Sequence, residues 1–596
     1  MPRPGANISF PKPNFKEMIP VLKRLSGYLL QRKGLLLLVI IMVAASSALA
    51  LLGPYLVGMA IDEYIVKKDE AGLVSLLVFL GATYIFYSVA MFLQNYWMAG
   101  IAQETVYQLR TELFEHMHKL PLSFFDRRRH GELMSRVTND IENVSSTLNS
   151  SVIQIVSSVL TLTGAVVVMI WLSPILTGIT LLIVPLMYIG MKWITSRTRV
   201  QFKEQQRHLG ELNGFIEEAI SSQHIVKMFS QEERINNEFM ERNERLKKAG
   251  FWAQTYSGFI PKLMNVLNNL SFAAIALAGG LLALNGMVTI GVIVIFAEYA
   301  RQFTRPLNDL ANQFNTLLSA IAGAERVFEI MDTEVEEEKL DRYQRIKQIR
   351  GDIEFRDVSF SYETGKPILK RIHFSAQAGD MIALVGPTGS GKTTIVNLLS
   401  RFYDPDSGVI TIDGHDSTKL SRFDLRRHMA FVLQDTFLFE GTVRENIRYG
   451  RLDATDEEVV EAAKSANAHT FISRLPDGYD TVLQHEGSGI SQGQKQLLAI
   501  ARAILADPSI LLLDEATSSI DTITEMHIQE ALDRLMKGRT SVVIAHRLNT
   551  IQRADQILVL EQGEIIERGS HEDLLEKKGY YYQLNQSSSS SLSSAQ

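Results

Sequence analysis

Six apolar stretches lie before residue 310, at 35–52, 73–93, 152–172, 175–191, 266–284 and 288–303. Each is close to the roughly 20 residues a helix needs to cross the hydrocarbon of a bilayer. Long uncharged runs in this number have no ready place inside a soluble fold, so they predict a membrane-spanning helical region; the alternative is a set of helices buried in a soluble core. The whole chain is 46% hydrophobic with a mean hydropathy of +0.04, too low for a protein embedded from end to end. The remaining half must therefore be a water-soluble domain.

Charge beside the spans gives an orientation. Ahead of the first, Lys12, Lys16, Lys23, Arg24, Arg32 and Lys33 surround an apolar rhythm of Ile19, Leu22, Leu25 and Leu29, which predicts a basic amphipathic elbow over residues 1–34 lying on a membrane surface. This stretch lacks the shape of a signal peptide. The short turns at Ser173-Pro174 and Asn285-Gly286 carry no charge, whereas the connections 99–151 and 196–256 are rich in Arg and Lys. The excess of positive charge places these connections and both termini in the cytoplasm, and the membrane is expected to be a bacterial cell (inner) membrane. Both connections are polar yet helical in rhythm, and two antiparallel limbs of about 25 residues each would reach roughly 35–40 Å from the bilayer. Their turns are expected at 121–126 and 214–223; the alternative is a pair of solvated loops.

The transmembrane region is thus expected over 35–330, a linker carrying the acidic run 334–339 over 331–350, a second domain over 351–585 and a flexible, disordered Ser-rich tail over 586–596. A formal charge of -6 removes any global field for holding nucleic acid, and the lack of cysteine removes disulfides, thiol catalysis and cysteine-bound metals. After Gly351 short β-branched strands alternate with helices, the pattern of an α/β domain.

The second domain carries the chemistry. Gly386-Pro-Thr388-Gly389-Ser390-Gly391-Lys392-Thr393 follows the apolar strand 381–385 and opens a helix at Thr394. Glycines there let backbone N–H groups close on phosphate oxygens, Lys392 meets the β and γ phosphates, and the Thr393 hydroxyl ligates Mg²⁺. A second apolar strand, 510–513, delivers Asp514 and Glu515 at its carboxyl end. Asp514 would hold Mg²⁺ through water and Glu515 would act as general base on the attacking water; the alternative for Asp514 is a helix cap. A third strand, 540–545, ends at His546, placed to contact a γ-phosphate.

Ile490-Ser491-Gln492-Gly493-Gln494 resembles the Leu-Ser-Gly-Gly-Gln signature of ATP-binding cassette proteins. With the phosphate loop, Gln434 in Val432-Leu-Gln434-Asp435, the run Leu513-Asp514-Glu515-Ala-Thr517, Asp521 and His546, the order and spacing match that family. Phe124-Phe125-Asp126 with 131–136, and Ile216-Glu217-Glu218 with 226–229, are similar to its exporter branch. The resemblance implies a multidomain chain, an all-α six-helix exporter-type transmembrane domain followed by an α/β P-loop ATPase domain. It implies Tyr362 as the aromatic that stacks on adenine, Ser491, Gly493 and Gln494 as contacts to ATP held by a second half-transporter, and Gln434 as a ligand of Mg²⁺ near the γ-phosphate. It implies ATP-driven export of small amphipathic compounds, drugs or lipids, by alternating access, with membrane lipids as surroundings. The alternative is an ATP-gated channel or regulatory membrane protein of the same architecture.

Three departures stand out. Gln492 occupies a signature glycine and Ile490 its leucine, while Glu515 and His546 keep the catalytic pattern. This combination resembles the glutamate-bearing subunit of a heterodimeric exporter whose partner has a normal signature; a homodimer is the alternative. His485 stands where the exporter pattern has a glutamate. At membrane depth Tyr84, Tyr87, Asn95, Tyr96, Asn265, Asn268, Asn269 and Glu298 are candidates for substrate contact. Equally, asparagines hold helices together and Glu298 can pair with Arg301 or Arg305.

Overall fold

The computed structural model describes residues 15–336, 345–346, 348–363, 365–433, 436–484, 487, 489–514, 520–545 and 548–593. They fall into two compact units, Met1–His118 with His130–Thr333, and Lys119–Arg129 with Glu334–Gln596.

The helices in chain order are α1 (Phe15–Leu29), α2 (Lys33–Met59), α3 (Glu70–Met117), α4 (Leu122–Asp126), α5 (His130–Ser135), α6 (Ile141–Leu172), α7 (Pro174–Ser221), α8 (Gln223–Met228), α9 (Glu232–Leu284), α10 (Ile290–Gln302) and α11 (Thr304–Met331). All except α4 belong to the first unit. Among the described residues five helical segments are long and apolar enough to cross a membrane, and only 17–28% of each apolar window is buried. Apolar side chains turned outward on this scale are what a lipid-facing bundle requires, which removes the soluble-core alternative.

Local sequence accounts for the boundaries. Asp69 caps α3 by accepting from the Gly72 N–H at 3.0 Å, Ser173 caps α7 with Pro174 in the first turn, and Thr289 caps α10. The sixth apolar stretch does not continue unbroken toward Met331. It stops at Gln302 and resumes at Thr304, because the ring of Pro306 conflicts with the carbonyl four residues earlier. The second long connection turns within the expected 214–223: α7 runs through Gly214 to Ser221, and after Ser222 the short helix α8 follows. In α1 the buried stripe is Met18, Val21 and Leu25, while Ile19 is exposed.

Polar ties lock the apolar helices. The Ser46 hydroxyl donates to Gln94 at 3.0 Å between α2 and α3, and Gln154 Nε2 donates to Asp309 at 2.6 Å between α6 and α11. A π-helical turn over Ala60–Ile65 presents Asp62, which accepts from the Gly291 N–H at 2.8 Å and from the Thr289 hydroxyl. Here α2 and α10 touch backbone to backbone, since a Cβ on Gly291 would collide with the Gly58 carbonyl. A second π-helical turn, Arg136–Asp140, presents Asp140, 8% exposed, to Arg326 of α11, whose Nε donates at 2.9 Å.

Among the described residues the second unit contains three sheets. Strands β1 (Ile353–Phe360), β2 (Leu369–Ala376), β4 (Ser407–Ile412) and β5 (His415–Asp416) form an antiparallel sheet in the order β2-β1-β4-β5. The main sheet runs β12-β11-β3-β10-β9-β6, from β3 (Met381–Val385), β6 (Met429–Val432), β9 (Ile510–Asp514), β10 (Thr540–Ile544), β11 (Gln556–Glu561) and β12 (Glu564–Gly569). Its pairings are parallel apart from β11 with β12. The two-residue strands β7 (Gly441–Thr442) and β8 (Val482–Leu483) pair separately. The near-continuous apolar runs of β3, β9 and β10 reflect burial on both faces, with Ile382, Ala383, Leu384, Leu511 and Val542 fully buried.

Candidate functional site

In the main sheet Leu384 pairs with Ile544, and Ile544 with Asp514. The carboxyl ends of β3, β10 and β9 therefore lie in one row, with β6 alongside through Val432 and Leu513. Open α/β sheets bind ligands at such a row. The loop after β3 enters helix α12 (Lys392–Leu399), and the segments leading to 434, 515 and 546 leave from the ends of β6, β9 and β10. Gln434, Glu515 and His546 themselves lie outside the described residues, as do His485 and Glu486.

The loop fits a phosphate. Gly386, Gly389 and Gly391 have φ of 152°, 83° and 104°, conformations a side chain rarely adopts. A Cβ on Gly386 would strike the Leu560 carbonyl of β11, whereas one on Gly389 would meet nothing within 4 Å, so that glycine is there for its backbone and faces open space. The Lys392 ammonium folds back over the loop, donating to the carbonyls of Gly386 and Pro387 at 2.8 and 2.9 Å. Burial holds it below the ordinary lysine range, and Asp514 nearby opposes that shift. Ser390 is 2% exposed and its hydroxyl is buried without a partner. An orphan donor beside a buried lysine is a cradle suited to an anion.

Thr388 and Thr393 are exposed. Thr394, in contrast, is buried, and its hydroxyl accepts from Tyr362 at 3.3 Å. Asn397 also donates to the Tyr362 hydroxyl, at 3.1 Å. Tyr362 is thus pinned to α12 by its tip, while its ring meets Phe360 and Tyr403 edge-on with centroids 4.9 Å apart in both cases. An open cleft beside it is lined by Arg127, Ser361, Glu363 and Asp406. Two of the neighbours come from the α4 segment: Arg127 donates to the Tyr362 carbonyl at 3.2 Å and Asp126 accepts from Tyr403. No motif in the sequence singles out Tyr403 or Asn397.

The signature segment opens the helix Gln492–Ala506. Ser491 and Gln494 form a reciprocal capping box, each satisfying the other's backbone N–H, at 3.3 and 2.9 Å. Gly493 is buried against Thr524 and Ile520, where a Cβ would collide with Thr524. Gln492 is exposed, so a side chain is sterically free at that position within this chain. Ser491, Gly493 and Gln494 all belong to this helix start. Among the described residues no cluster of three metal-ligating side chains forms.

A nucleotide-binding α/β domain and a helical membrane region on one chain define a membrane transporter powered by ATP. Residues 36–307 match the family model of the ABC transporter transmembrane region, and residues 369–518 match the family model described as ABC transporter. The chain is 62% identical over 96% of its length to the uncharacterized ABC transporter ATP-binding protein YfiC of Bacillus subtilis, covering 95% of that protein. It is 43% identical over 88% of its length to the fatty acid ABC transporter ATP-binding/permease protein of Mycobacterium bovis, covering 82% of it. Identity is 39% over 91% of its length to the ATP-dependent lipid A-core flippase of Syntrophus aciditrophicus, covering 90% of that protein. The chain belongs to the ATP-binding cassette (ABC) transporters, as an exporter-type half-transporter with one transmembrane and one ATP-binding domain.

Proposed function

We propose that two such half-transporters pair to export amphipathic compounds by alternating access, with ATP clamped between their ATPase domains. The observation that carries this reading is the row of strand ends, where the Lys392 loop and Asp514 converge on one edge of a domain continuous in sequence with the membrane helices. Backbone N–H groups of the 386–393 loop and Lys392 would hold the phosphates, Tyr362 would carry the adenine, and Glu515 would take the proton of the attacking water, with His546 at the γ-phosphate. Thr393 and Asp514, joined by Gln434, would hold Mg²⁺, which when bound neutralises charge on the transferred phosphate. ATP binding closes the domains and hydrolysis releases them. On this reading the ATPase domain and both termini face the cytoplasm.

The partner is proposed to be a related half with a normal signature. Ser491, Gly493 and the backbone at Gln492 would complete the ATP site on the opposite chain, and a glutamine side chain there stands between backbone and phosphate. The test compares ATPase rates of the purified chain alone and co-expressed with a related half-transporter, each with and without Gln492→Gly. A poor lone ATPase rescued by Gln492→Gly or by the partner supports the heterodimer. A lone chain as fast as any pair makes it a homodimer.

A further inference from the structure

Four ionisable residues follow one another on one side of the broken sixth span: Glu298, Arg301, Arg305 and Asp309, at intervals of three, four and four residues. Such spacing keeps them on one face as α10 passes into α11. The opposite side of α10 is packed, with Ile295, Phe296, Tyr299 and Ala300 all buried. The charged face is open, with side-chain exposures of 45% for Glu298, 59% for Arg301 and 86% for Arg305.

Counting from Ile290 at 1.5 Å per residue, Arg301 lies about 16 Å and Arg305 about 22 Å into a hydrocarbon layer of roughly 30 Å. Two guanidinium groups at this depth are tolerated on a face lining an aqueous or partner-lined path, and are expensive against lipid. The sign pattern is minus, plus, plus, minus, so the two cations are neighbours. Glu298 meets Arg301 only at 3.5 Å, and Asp309 meets Arg305 only at 3.9 Å. Asp309 is engaged more closely by Gln154, at 2.6 Å. Arg305 therefore holds the least compensated charge of the four. The ring of Phe272, 46% exposed on α9, lies 5.7 Å from the Arg301 guanidinium. An apolar surface thus adjoins the cations.

We infer that Arg301 and Arg305 form an anion subsite in the transport path, which takes the headgroup of an amphiphile with a negatively charged carboxylate or phosphate while its alkyl chain lies against apolar surface such as Phe272. The inference rests on the export reading and gives it a substrate class. Planar guanidinium forks suit carboxylate and phosphate alike. Glu298, engaged with Arg301, serves to hold that fork rather than to attract a cationic compound.

The test uses the purified full-length transporter in phosphatidylcholine nanodiscs, with EDTA and no ATP, and measures the Kd of palmitate, hexadecyl phosphate, hexadecanol and hexadecyltrimethylammonium. At least one of the two anions should bind on the order of 10-fold more tightly than hexadecanol, and which one does so distinguishes carboxylate from phosphate. Arg301→Gln with Arg305→Gln should erase that preference, whereas Arg301→Lys with Arg305→Lys should keep most of it. Binding of hexadecanol and of a fluorescent ATP analogue reports that each variant is folded. Equal binding of palmitate, hexadecyl phosphate and hexadecanol overturns the inference, as does tighter binding of the cation or an anion preference that survives the glutamine pair. An anion preference in a protein that never turns over ATP, alone or with a partner, supports the subsite and overturns the export reading.

Discussion

The phenol of Tyr403 donates to the carboxylate of Asp126 at 2.5 Å, and burial and that carboxylate together push its ionisation well above the ordinary tyrosine range. The bond joins the short helix α4 to the aromatic cluster beside the open cleft, where Tyr403 meets Tyr362 edge-on and Tyr362 is tied to α12 through Thr394 and Asn397. A displacement of α4 thereby has a contiguous route of hydrogen bonds and ring contacts to the phosphate loop.

Tyr403→Phe keeps the ring and removes the donor. A charge-assisted bond that is partly solvated is worth about 1 kcal/mol, which corresponds to roughly 5-fold in an equilibrium or rate. Substrate-stimulated ATPase should fall by that factor while nucleotide affinity stays near wild type. An equal fall in ATP affinity would show that Tyr403 merely supports the pocket.

Glu515→Gln should abolish steady-state ATP turnover, by about 10²-fold or more, and preserve ATP binding, because the amide has the shape of the carboxylate and cannot take a proton. Radiolabelled ATP retention set against phosphate release distinguishes the two effects. Turnover near wild type would assign the base elsewhere.

Lys392 predicts a pH dependence. Burial lowers its ionisation from the ordinary value of 10.5, so without nucleotide it loses its proton at a lower pH than an exposed lysine. Phosphate favours the charged form and restores the proton. Between the lowered value and 10.5, ATP binding should therefore take up protons and weaken as pH rises. Calorimetry in buffers of different ionisation enthalpy reads the uptake, and Lys392→Arg should remove it while leaving a fixed charge.

Arg326→Ala leaves the Asp140 carboxylate, 8% exposed, without its guanidinium. Stranding a buried acceptor costs about 1–3 kcal/mol, less here because the Arg326 side chain is itself 45% exposed. A fall of a few degrees in the unfolding temperature of the detergent-solubilised protein is expected. Asp140→Asn with Arg326→Gln, which replaces both charges, should recover part of it.

Much of this architecture is legible in the chain because it rests on short-range rules. Apolar run length marks the spans, and glycines with positive φ mark the phosphate loop. The failures are physical as well. Gly214 looks like a turn but sits inside α7, since an isolated glycine weakens a helix of 48 residues without ending it. The break at Phe303 was encoded in Pro306, whose effect falls four residues upstream of the proline itself. The π-helical turns that aim Asp62 and Asp140 have no sequence signature, and the Asp126–Tyr403 contact spans 277 residues, beyond any local pattern.

The length of α3 carries a mechanical consequence. Its 48 residues extend about 72 Å, more than twice the roughly 30 Å of hydrocarbon it crosses. Such a rod is a lever with its fulcrum in the bilayer, so a tilt of about 10° at the membrane sweeps a free arm of roughly 40 Å through about 7 Å at its tip. Small repacking among apolar helices is thereby geared up to the scale of a side-chain pocket, and the same gearing run backwards turns a wide swing of the rod's tip into a fine, forceful shift among the helices at membrane depth.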